Sequence, residues 1–140
     1  MSKARAIGIG GVFFKCKDPA KVKDWYSKNL GMITDQYGAL FESRSSDEPD
    51  KKSYLQWSPF QDDTKYFEPS TNDYMINYRV NDLEALKVQL EENGVEILDE
   101  IAEYEYGKFL HIKGPENQKI ELWEAVDSEF TKLYEGKTNK

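Results

Sequence analysis

The chain holds a single histidine, His111, in "KFLHIKG", and ten residues further on a glutamate, Glu121, in "KIELWEA". Both stretches alternate as strands do, and the "KGPENQK" between them is rich in turn formers. Antiparallel pairing over this span brings the imidazole across from the carboxylate. Such a pair can exchange a proton with a substrate, the carboxylate raising the imidazole pKa. In the alternative reading His111 fills a pocket wall and hydrogen-bonds Glu121. A carboxylate flanked by Ile120 and Leu122 needs a partner if it is buried, either Arg79 or His111. It otherwise binds a cationic ligand group, or abstracts a proton beside a carbonyl.

The elements that must position these groups are written twice. "GVFFKCKDPAKVKDWYSKNLGMI" (11–33) and "YMINYRVNDLEALKVQLEENGVEI" (74–97) each read as strand, Asp, amphipathic helix, Gly. In the first, Val12, Phe14 and Cys16 alternate with Gly11, Phe13 and Lys15. Asp18-Pro19 is an N-cap with a first-turn proline, Val22, Trp25, Tyr26 and Leu30 form a helical stripe, and Gly31 stops it. In the second, Ile76, Tyr78 and Val80 alternate with Met75, Asn77 and Arg79. Asp82 caps, Leu83, Leu86 and Leu90 form the stripe, and Asn93-Gly94 ends it. Further strands follow each helix: "ALFESRS" and "SYLQWSPF" in the first half, "VEILDEI", "KFLHIKG" and "KIELWEA" in the second. This organisation predicts one domain over 1–140, with modules at 7–58 and 74–125, a linker at 59–73 and a tail at 126–140. Phe60, Tyr66 and Phe67 predict that the connection packs on the body, and the tail is expected to form one short helix.

Composition narrows the function classes. At 140 residues and 39% apolar the chain supports one core, and a formal charge of −7 with scattered lysines argues against phosphate-backbone binding. One cysteine, Cys16, excludes an internal disulfide and reads as a small apolar residue on a strand face. No apolar run approaches the roughly 18 residues of a membrane span, and "MSKARAIGIGG" lacks a signal-peptide core. A soluble, cytoplasmic protein without nucleic-acid or membrane partners is expected.

The order of "GVFFKCKDPAKVKDWYSKNLGM", "INYRVNDLEALKVQLEENGV" and "YGKFLHIKGPENQKIELWE" resembles the vicinal oxygen chelate (VOC) superfamily, the glyoxalase, bleomycin-resistance and extradiol-dioxygenase group. The resemblance spans about residues 7 to 125. It implies an α+β fold in which two βαβββ modules form curved mixed sheets around a shared cavity, and commonly a homodimer. Metal-using members supply ligands from four strands. Carried across, those positions fall on Gly11, Met75, Glu121 and either Leu55 or Gln56. Gly11 has no donor, and the Met75 thioether suits soft copper(I) rather than harder ions. The family's ligand set is thus largely lost, and no metal or other cofactor is expected.

Placed in such a cavity, the alternation gives Glu121 and His111 as the candidate catalytic pair. Phe13, Gln56, Met75, Asn77, Arg79, Phe109 and Trp123 are the candidate ligand-binding set, the ordinary composition of a small-molecule pocket. Tyr104 or Tyr106 of "EYEYGKF" supplies either the cavity rim or an outer surface. Two functions remain open besides a ligand-free scaffold or dimer module, which the polar groups aimed inward disfavour. One is metal-free enclosure of a small, partly aromatic or cationic ligand. The other is a glyoxalase-type lyase or isomerase, similar to lactoylglutathione lyases, with Glu121 as base and Arg79 carrying the enolate charge.

Overall fold

In the computed structural model, which describes residues 3–140, both long helices start at their aspartate caps. Asp18 Oδ1 accepts the Lys21 N–H at 3.2 Å ahead of α1 (Pro19–Leu30), and Asp82 Oδ1 accepts the Ala85 N–H at 3.1 Å ahead of α2 (Leu83–Glu92). Each satisfies an N–H that lacks an intrahelical partner, an effect of about 1 kcal/mol. Gly31 ends α1 at φ +67°, a left-handed conformation that costs glycine little.

The helices follow the equivalent strands β1 (Ala6–Cys16) and β4 (Tyr74–Val80). Strands β2 (Ala39–Arg44) and β3 (Lys52–Gln61) complete the first half. The second half adds β5 (Ala102–Tyr104), β6 (Gly107–Lys113) and β7 (Lys119–Ala125), and α3 (Asp127–Tyr134) closes the chain. Seven strands form one mixed sheet in the order β2-β3-β1-β4-β7-β6-β5. The halves meet where β1 and β4 pair antiparallel, and each lays its last strand parallel to its first, β3 on β1 and β7 on β4. That arrangement is the internal pseudo-twofold expected of a duplicated module, and the α+β class read from the sequence holds.

The halves differ at their edges. After α1 the chain makes only an isolated bridge, Asp35 to Gly38, where the second half has β5. The C-terminus takes that edge instead. Asn139 N–H donates to Leu40 C=O at 2.8 Å, and Glu42 N–H to Asn139 C=O at 2.7 Å, covering a strand edge that would otherwise be open. "VEILDEI" is not a strand. It touches β6 through one bridge, Ile97 to Ile112, because Asp99 turns its carboxylate onto His111, and the strand forms later as β5.

One face of the sheet packs on α2. Val80, Leu110, Ile112 and Leu122 meet Leu83, with Leu86 and Leu90 beside them, as the helical stripe predicts. The α1 stripe is only partly used: Tyr26 packs on Trp57 at 4.8 Å, whereas Trp25 stays 55% exposed. Inward-facing residues of the other sheet face are covered by the chain itself. The linker turns Phe67 into full burial against Phe13 and Met75, and α3 lays Phe130 5.3 Å from Trp123 and 5.7 Å from Tyr54.

Candidate functional site

A single row of residues crosses five adjacent strands on the face away from α2. The pairings run Gln56–Gly11–Asn77–Glu121–His111. Residues directly paired across a sheet point to the same side. The row therefore gathers one amide, one glycine, a second amide, a carboxylate and the imidazole along a line.

Glu121 is its hub, 3% exposed. Its Oε1 accepts the Asn77 side-chain amide at 2.6 Å, and its Oε2 accepts His111 Nε2 at 2.7 Å and the Tyr66 hydroxyl. His111 donates on its other side as well, from Nδ1 to Asp99 Oδ2 at 2.6 Å, while Asp99 Oδ1 accepts the His111 backbone N–H at 2.8 Å. The imidazole is thus clamped between two carboxylates. Tyr66 comes from the linker and Asp99 from the segment after α2.

Burial and charge compete at each group. Burial disfavours the His111 imidazolium, but hydrogen bonds to Glu121 and Asp99 outweigh it, and the pKa is raised above its ordinary 6.5. Burial likewise opposes Glu121 ionisation, yet donation from His111, Tyr66 and Asn77 prevails and holds the carboxyl below its ordinary 4.5. Desolvation first, then the Glu121 charge, pushes the Tyr66 phenol far above its usual range, so it stays protonated and donates. Both shifts favour the charged forms, an imidazolium against the Glu121 carboxylate.

A cleft of about 270 Å³ opens beside this relay, lined by Tyr66, Asp99, Tyr104, Tyr106, Phe109 and His111. It joins the imidazole edge to the rings of β5 and β6. A larger and more polar cleft of about 730 Å³ lies at the far end of the sheet, where Arg79 is held by Asp127 at 2.5 Å and by Tyr54 C=O at 3.2 Å.

The residues picked from sequence therefore fall into separate places. His111, Glu121, Asn77 and Gln56 share the row, and Phe109 lines the smaller cleft. Phe13 and Met75 sit in the Phe67 core, with Met75 fully buried. Trp123 lies under Phe130, with the Arg79 guanidinium 5.1 Å from its ring centroid. Glu121 pairs with His111 and not with Arg79. Tyr66 and Asp99 escaped the sequence reading. Only the aromatic content of the linker hinted at the first, and Asp99 lay in a segment that reads as strand.

The row also tests whether the residues fit a metal ion. The residue beside Glu121 on β4 is Asn77, not Met75, and the residue beside Gly11 on β3 is Gln56, not Leu55. Gly11 offers no donor. Gln56 Nε2 is directed to Ser58 Oγ at 3.1 Å and the Ala39 carbonyl at 3.3 Å. Asn77 and Glu121 are bonded to each other. One carboxylate with three donors already on it does not make the multi-ligand oxygen or nitrogen site that a hard or borderline ion requires. No cluster of three or more acidic, histidine or cysteine side chains suited to an ion occurs among the described residues.

No protein-family model matches the chain, and no curated protein matches it in sequence. Solved structures match in three dimensions. Methylmalonyl-CoA epimerase from Mycobacterium tuberculosis superposes with a TM-score of 0.59 at 20% identity, over 94% of this chain and 96% of that one. A Streptomyces coelicolor methylmalonyl-CoA epimerase variant in complex with 2-nitronate-propionyl-CoA gives 0.61 at 18% identity, over 87% and 99%. A structure described as NAD-dependent benzaldehyde dehydrogenase from Legionella pneumophila gives 0.52 at 15%, over 82% and 97%. These likenesses show that the chain has the fold of the VOC proteins, as the sequence resemblance implies. The differing descriptions carried by that one architecture show why fold does not transfer activity.

Proposed function

We propose that this chain is a metal-free VOC protein that binds a small organic ligand in the cleft beside the His111 relay. The observation carrying this reading is that both oxygens of Glu121 are occupied by Asn77, Tyr66 and His111, while four aromatic rings border open space at the other end of the relay. A carboxylate held ionised and saturated with donors is a good structural anchor. It fixes the His111 ring and with it the floor of the cleft.

The same geometry weakens the lyase or isomerase reading. As a base, Glu121 would have to release three hydrogen bonds, and its lowered pKa makes it a weaker proton acceptor than an ordinary glutamate. His111 faces the cleft, and its raised pKa favours the protonated form, which suits it to donating a proton more than to abstracting one. A homodimer belongs to the proposal too. Trp25 and Leu30 on α1, with Ile33 just beyond, lie exposed and would be covered by a second copy, which sedimentation at micromolar concentration tests.

A thermal-shift screen of small aromatic, neutral and charged compounds tests the binding reading, with hits mapped by NMR on the only imidazole in the chain. The proposal expects stabilising compounds that move the His111 ring signals. Stabilising compounds that all leave His111 unmoved would place the ligand elsewhere.

A further inference from the structure

The chemistry of the smaller cleft narrows its ligand further. Tyr104 and Tyr106 stand parallel with centroids 5.3 Å apart, and Phe109 crosses both, at 63° and 68°. Tyr66, Asp99 and His111 line the same cleft. Aromatic rings present negative faces that attract cations. One ring of this group already does so, since Lys119 Nζ lies 5.0 Å from the Tyr66 centroid.

The charge has the matching sign. Asp99 and Glu121 bring two carboxylates to this wall, set against the His111 imidazole and, beside Tyr66, the Lys119 ammonium. Asp99 is 44% exposed at its side chain, and each oxygen accepts only one bond from His111, so lone pairs remain for a ligand. Glu100, Glu103 and Glu105 add exposed negative charge on the same stretch of chain. Of the neighbouring lysines, Lys108 is paired with Glu84 at 3.3 Å, and Lys119, whose bond to the neutral Tyr66 carbonyl leaves its charge intact, is outnumbered by Asp99, Glu121 and the three exposed glutamates.

Resting on the binding reading above, we propose that the cleft takes a small organic cation, an alkylated ammonium group, held against the tyrosine pair and Phe109 with its charge toward Asp99. A bare ammonium would need three acceptors, and the walls supply little beyond one carboxylate. A fully methylated ammonium needs none. It exchanges weakly held water for ring faces and keeps the favourable charge. At about 270 Å³ the space suits a headgroup-sized ligand, below the usual range for drug-sized pockets.

Three probes with nearly the same body separate charge from shape: choline, its neutral carbon isostere dimethylbutanol, and the anion dimethylbutanoate. Each is titrated into the full-length protein while the His111 ring signals are followed. Choline is expected to bind about tenfold more tightly than the alcohol, with the anion weakest. Tyr104→Ala, at an exposed position, is expected to weaken choline several-fold, whereas Tyr104→Phe keeps the ring and the affinity. Asp99→Asn is expected to reduce the preference for choline over the alcohol, the ring faces keeping the remainder. Equal binding of choline and alcohol, or tightest binding of the anion, would overturn the cation assignment and leave the binding site standing. Silence of all three probes while other screened compounds move His111 would also overturn it. If neither probes nor screened compounds move His111, the binding reading falls as well.

Discussion

Replacing Glu121 with glutamine removes one charge from the relay and almost none of its shape. In the native protein three donors converge on this carboxylate, from Asn77 at 2.6 Å, His111 at 2.7 Å and Tyr66. In the Glu121→Gln variant the new side chain would keep an oxygen for Asn77 but turn an amide N–H₂ toward His111 and Tyr66. The imidazolium then faces a donor with a donor. It escapes by giving up the Nε2 proton, accepting from the new amide, and keeping Nδ1–H on Asp99. The three charge-assisted bonds of Glu121, from Asn77, His111 and Tyr66, thereby become neutral ones. Each conversion loses about 1 kcal/mol, so the variant is expected to lose about 3 kcal/mol. For a domain of this size that is roughly 5–12 °C in melting temperature. The His111 pKa, raised in the native protein, must fall in the variant because its strongest raising partner is gone. Calorimetry and NMR titration of the single histidine measure both. Glu121→Leu, which strands Asn77, Tyr66 and His111 together, should cost more, about 3–5 kcal/mol. A Glu121→Gln variant with native melting temperature and native His111 titration would refute the reasoning.

Other consequences are as specific. His111 has a raised folded pKa, so its stabilisation is complete below its unfolded value near 6.5 and is lost as pH rises through the folded pKa. Glu121 has a lowered one, so its stabilisation is complete above its unfolded value near 4.5 and is lost as pH falls through the folded pKa. The relay's combined contribution therefore peaks at mildly acidic pH, between those two values, and a melting-temperature profile that only rises from about pH 5 to 9 would contradict it. Phe130→Ala opens the aromatic cover over Trp123 and Tyr54 and is expected to cost about 2 kcal/mol, the low end for a half-buried ring, with Trp123 fluorescence shifting to the red. Gly10→Ala would drive a Cβ into Asn77 Oδ1 and set it 2.9 Å from Trp123, a clash of about 1–3 kcal/mol that also pushes Asn77 off Glu121. Denaturant unfolding of the variant measures the loss.

The duplicated plan was legible because its signals are local. Caps at Asp18 and Asp82, the left-handed stop at Gly31 and period-2 alternation report backbone demands that act within a few residues. The His111–Glu121 pairing was legible for a related reason, since a short turn fixes which residues of two antiparallel strands face each other. What lay beyond reach depended on distant register. The parallel register of β4 on β7 sets Asn77, and not Met75, beside Glu121, and nothing local announces a pairing between strands so far apart in sequence. Tyr66 arrives from a connection 55 residues before Glu121, and Asp99 acts through a side chain that displaces a strand. The filling of the inner face by Phe67 and Phe130 is equally non-local, because either ring could have packed elsewhere from the pattern alone.

Everything proposed for the site turns on Glu121 being satisfied by protein groups and not by an ion. Adding cobalt(II) to the purified protein while recording the His111 ring and Asn77 amide signals tests this directly. Stoichiometric additions are predicted to leave both sets of signals sharp and unshifted. Their broadening or paramagnetic shift at one equivalent, lost again in Glu121→Gln, would contradict it.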